Sequence, residues 1–110
     1  MSQAIAVPLT ITPEASDFVR ELGMHEQLEQ MLDHARQIIP SLYEITVSLL
    51  PRYDEPGELD AVIIDAFSDD PAVRTHPFGS DWGRWKMETF PPAVFQHFTL
   101  IDIYVPTHAR

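Results

Sequence analysis

The sequence predicts an α+β fold: a small antiparallel or mixed sheet of three to four strands, with two N-terminal helices and one short third helix packed mainly on one face. Three observations carry this reading. Two apolar stripes at helical spacing follow one another with a single glycine, Gly23, between them. Two apolar runs of strand length, about 43–50 and 59–67, flank a Pro-Gly turn signal at Pro56-Gly57. Helical and strand segments are partly segregated along the chain, and the one sure connection between strands is a hairpin.

Ile5, Val7, Leu9 and Ile11 alternate, so residues 4–11 can form a strand. Pro8 lacks an amide hydrogen, which confines such a strand to an edge. Thr12 is an N-cap type, and Pro13 follows at the first helical position. Ala15, Phe18, Val19 and Leu22 then share one helical face, and Gly23 supplies the stop. From about Met24, the residues Leu28, Met31, Leu32, Ala35, Ile38 and Ile39 continue the stripe until Pro40 ends it.

Tyr43, Ile45, Val47 and Leu49 alternate with more polar neighbours and are expected to face the helices. The run Val62, Ile63, Ile64, Ala66, Phe67 is apolar on both sides, which predicts a central strand. Residues 68–80 read as a long loop in which Asp70-Pro71 can open one helical turn. Ser80 or Asp81 is expected to cap a short helix over about 81–89. Gly83 inside it costs about 1 kcal/mol against alanine, which suggests close packing or a break there. Pro92 can start one more turn, and a last strand is expected over about 98–105, with Phe98, Leu100, Asp102 and Tyr104 on one face.

The chain has 110 residues, which fits one domain over 1–110. Acids outnumber bases 17 to 7, for a formal net charge of −10. The few basic residues are scattered, so the counterion-releasing cluster that a phosphate backbone requires is missing and no nucleic acid is expected as partner. The same charge disfavours an anionic membrane surface, and no apolar run approaches the length of a membrane span, so no membrane association is expected. The absence of cysteine excludes disulfides, thiolate metal sites and a cysteine nucleophile. With an opening Met1-Ser2-Gln3-Ala4 that resembles no secretory signal, it fits a cytoplasmic location.

No nucleophile elbow, phosphate-cradling glycine loop or metalloprotease histidine spacing is present. The expected function is therefore a non-enzymatic protein-interaction or accessory module that needs no cofactor, such as the neutralising partner of a basic protein, as an antitoxin is, docking through its exposed sheet face or through the Trp82/Trp85 region. The aromatic group Phe78, Trp82, Trp85, Phe90, Phe95 and Phe98 is its most unusual feature. Trp82 and Trp85, at i and i+3, together with Arg84 are candidate partner-binding residues, because Trp and Arg are enriched at interface hot spots. The plainer account is that these rings complete a small core. Glu26, Glu29 and Asp33 on one side of the second helix are further candidates for contact with a basic partner, although a charged helix face is ordinarily just solvated.

The alternative reading is a small metal-dependent enzyme or metal-binding protein using an acidic loop. Its ligands would be Asp65, Asp69, Asp70 and His76, since hard cations take carboxylate oxygens and histidine suits zinc or manganese. Against it, acids and prolines are ordinary turn chemistry. Finally, a small open sheet leaves edges that can pair with a second copy, so a homodimer is expected, through the strand ending at Pro51 or the one ending at Pro106.

Overall fold

The structure, a computed structural model, describes residues 7–50 and 61–106. Its elements are β1 (Leu9–Ile11), α1 (Pro13–Leu22), α2 (His25–Ile38), β2 (Leu42–Leu50), β3 (Ala61–Ser68), a 3-10 turn (Pro71–Arg74), α3 (Phe78–Thr89), α4 (Pro92–Phe95) and β4 (Phe98–Tyr104). The fold is α+β, with a four-stranded mixed sheet in the order β1-β2-β3-β4. β1 pairs with β2 in parallel, β2 with β3 antiparallel, and β3 with β4 in parallel.

Local chemistry places the first helices. The Thr12 hydroxyl accepts the Ala15 amide at 3.2 Å and caps α1. Gly23 takes the left-handed conformation, φ 69°, and the Met24 amide reaches back to the Val19 carbonyl at 3.1 Å. That closure lets the chain turn directly into α2. The apolar stripes of both helices then meet the sheet. Ala15 and Val19 from α1, with Leu28, Met31, Leu32 and Ala35 from α2, pack with Ile45, Val47, Val62, Ile64, Ala66, Phe98 and Leu100. The register shows that these strand residues share one face, since Ile45 lies opposite Ala66, Val47 opposite Ile64, and Val62 opposite Phe98. Trp82 of α3 and Val73 of the 3-10 turn belong to the same core, so both helical layers cover one face of the sheet.

Several expectations need correction. β1 is three residues long. Residues 4–6, expected to extend it, and the hairpin turn around Pro56-Gly57 lie outside the described residues. Of the two strands offered as edges, β4 is one, while β2 is interior because β1 covers it. A bulge between Leu42 and Glu44 interrupts its alternation, so Leu42 packs on the core while the Tyr43 ring lies 6.5 Å from Phe67, which pairs with Glu44 on the other face. α3 starts at Phe78 rather than at Ser80 or Asp81. Proline has no amide hydrogen to leave unsatisfied, so Pro77 can stand at the N-cap, where its carbonyl accepts the Asp81 amide at 3.0 Å. Gly83 causes neither a break nor a close approach: α3 runs through it, and a Cβ there would meet nothing within 4 Å.

The two sheet edges are β1 and β4, and neither is a long free template. β1 is short and follows Pro8. In β4, the His97 carbonyl accepts from Val62 and the Val105 amide donates to Ser68, so the alternate groups, from Phe98 onward, point outward. The Lys86 ammonium donates to the Phe98 carbonyl at 2.6 Å while lying over the rings of Trp82 and Phe95. Gly79 brings the first turn of α3 against the Leu100 carbonyl and the Asp102 carboxylate, where even a Cβ would sit 3.0 Å from Asp102 Oδ1. The edge that would have paired with a second copy is thus partly occupied by the chain itself.

Candidate functional site

The candidate residues fall into three places. Trp82 is 1% exposed, and its indole N–H donates to the Met31 carbonyl at 3.0 Å, so the expectation that it contacts a partner is corrected: it is core. Both the Trp82 ring and Phe98 belong to the buried core. Trp85 is half-buried. It stacks on His34 with ring centroids 3.9 Å apart and planes 9° apart, and meets Phe90 edge-on. Burial at this stack holds the His34 imidazole below its ordinary pKa. Arg84 is exposed and lies 3.5 Å from Asp81.

On α2, Glu26, Glu29 and Asp33 are exposed. Asp33 pairs with Arg36 at 2.8 Å and Glu29 approaches His25 at 3.9 Å, the pattern of a solvated helix face. An open cleft of about 400 Å³ lies where α1 turns into α2. Its basic lining groups are already engaged, Arg20 with Asp17 and His25 with Glu29.

The acidic-loop residues do not assemble. Among the described residues, no three His, Cys, Asp or Glu side chains form a group that could hold a metal ion. Each is placed by local structure instead. Asp70 accepts the Ala72 amide at 2.9 Å and caps the 3-10 turn. His76 pairs with Asp81 at 2.6 Å under the Phe78 ring. The Asp69 amide donates to the Ser41 carbonyl at 3.4 Å, which holds this residue at the α2–β2 turn. Asp65 lies on β3, opposite Thr46 and Ile101, on the face away from the helices. His97, which could have met His76, is buried edge-on against Phe18 of α1.

What the structure does assemble is that second face. By register it carries Glu44, Thr46, Ser48 and Leu50 from β2, Ile63, Asp65 and Phe67 from β3, and Thr99, Ile101 and Ile103 from β4. Ile63, Phe67, Ile101 and Ile103 take no part in the core cluster. Ile101 is 45% exposed and Leu50 48%. Tyr43 borders the face, its hydroxyl 3.4 Å from the Val105 carbonyl. Partial burial and the carboxylates of Glu44 and Asp69 push its phenol above the ordinary value. An apolar band with a carboxylate at its centre therefore lies outside the core, with Ile101 exposed and Ile63, Asp65, Phe67 and Ile103 half-buried, and among the described residues no helix packs on it.

The sequence offered an exposed sheet face as one of two docking regions, and it showed Asp65 and the two-sided strand β3, but not which residues of the other strands share that face. The usable signal was the mismatch between a strand apolar on both sides and helices for only one of them. No protein-family model, no curated protein and no solved structure matches the chain. Among the described residues, no helix is long and apolar enough to cross a membrane.

Proposed function

We propose that the chain is a non-enzymatic protein-interaction module, working in the cytoplasm as an accessory or neutralising partner of a basic protein, and that it docks through the bare face of its sheet. One observation carries the reading: Ile63, Phe67, Ile101 and Ile103 form an apolar band outside the core, on strands whose other face packs against the helices. An apolar patch of this kind is costly to leave in water and is a mark of an interaction surface. The net charge of −10 supports a basic partner over an acidic one, because complementary potentials speed encounter and suppress wrong pairings.

The test is native mass spectrometry of the tagged chain expressed in its own source, beside an Ile101→Glu variant. Ile101 lies on the exposed face, so the substitution leaves the melting temperature nearly unchanged while placing a charge in the band. The expected result is a stoichiometric second protein on the unmodified chain that is absent from the variant. A bare chain in both samples, or the same protein retained by the variant, overturns the reading.

A further inference from the structure

We infer that the partner presents a cationic side chain, best met by an arginine guanidinium, to Asp65 at the centre of the bare sheet face. This rests on that face being the docking surface. Asp65 sits mid-strand on β3, with Thr46 opposite it on β2 and Ile101 opposite it on β4. Ile63 and Phe67, two residues away on either side, point to the same face, so three of the carboxylate's four nearest neighbours on that face are apolar and one, Thr46, is polar. Among the described residues it has neither a hydrogen bond nor an ion pair. The face holds one further acid, Glu44, and no basic side chain among the described residues.

An apolar partner would strand the Asp65 charge in a dry interface, which is strongly unfavourable without a counter-charge. A second copy meets the same objection twice over, since it brings its own Asp65 and Glu44 and no cation from this face. Nucleic acid would bring like charge to the acid. What satisfies both parts of the surface is an apolar element with one central cation. Arginine suits this best because its guanidinium is weakly hydrated and can bond a carboxylate through two N–H groups.

The experiment uses a synthetic amphipathic helical peptide whose apolar stripe carries one central arginine, and a second peptide with uncharged citrulline in its place. Affinities for the full chain are measured by fluorescence anisotropy at fixed, near-physiological salt. The arginine peptide should bind about tenfold more tightly or better, in line with the usual effect of removing one partner of a buried charge pair. In Asp65→Asn that preference should vanish, while Ile101→Glu should weaken both peptides. Equal binding of the two peptides, a preference that survives Asp65→Asn, or binding of neither peptide overturns the assignment to Asp65. Equal binding that Ile101→Glu still abolishes does so while leaving the docking face standing, whereas peptide binding indifferent to Ile101→Glu removes the face itself. A concentration-dependent dimer that Ile101→Glu dissolves, seen by sedimentation of the chain alone, would replace the partner by a second copy.

Discussion

Ser68 is fully buried, and its hydroxyl is used twice: it donates to the Pro40 carbonyl at 2.5 Å and accepts the Asp70 amide at 3.1 Å. One side chain thereby fastens the end of β3 to the turn that enters β2. Ser68→Ala leaves a carbonyl and an amide without partners, at a cost of about 1–3 kcal/mol. Thermal melts should show a fall of several degrees, since about 1 kcal/mol moves the midpoint of a domain this size by roughly 4–8 °C. His34 offers a second test at this scale. Burial lowers its pKa in the folded chain, so the unfolded state binds the proton more readily. The stability it contributes is present above its unfolded pKa and is lost as pH falls through the lower folded value. The melting temperature should drop as pH falls below the ordinary histidine value of about 6.5, and His34→Phe, which keeps a ring over Trp85 without a titratable group, should flatten that slope.

At the level of elements, α1 was the most legible, because Thr12, Pro13 and Gly23 are start and stop signals whose effects are local. The start of α3 was not. Pro77 is a poor N-cap by type and makes no side-chain cap, while Asp81, a cap by residue type, sits in the first turn paired with His76. Gly83 misled for a related reason, since a glycine in a helix says nothing about what lies beside it. A methyl group at this position would meet nothing within 4 Å beyond its chain neighbours and its own helix backbone among the described residues, so Gly83→Ala should stabilise the chain by about 0.5–1 kcal/mol. Urea unfolding at constant slope would register the gain as a higher midpoint. No change, or a lower midpoint, would mean that α3 is not helical through this position.

For the whole molecule, the fold class and the interior place of β3 were readable from periodicity. The antiparallel pairing of β2 with β3 was readable as well, but the parallel pairings at either side were not, because their partners are distant in sequence and joined by helices. The site shared that difficulty. Asp65 was visible as an acid among apolar residues, but its neighbours Thr46 and Ile101 come from strands on either side and meet it only through the register. The aromatic group is dense in sequence and so stands out there, yet Trp82 and Phe98 are taken up by the core.

The bare face also has an origin in the handedness of the chain. β1 and β2 run one way, β3 and β4 the other, and the strand order advances steadily from β1 to β4. Two crossovers of the same hand in such a sheet would carry their helices to opposite faces and bury both. Here α1, α2 and α3 meet in one core, so the two crossovers have opposite hands. One of them is left-handed, against the preference that makes about 98% of such connections right-handed. That exception leaves the second face of the sheet, with Ile63, Phe67, Ile101 and Ile103, without a helix over it among the described residues.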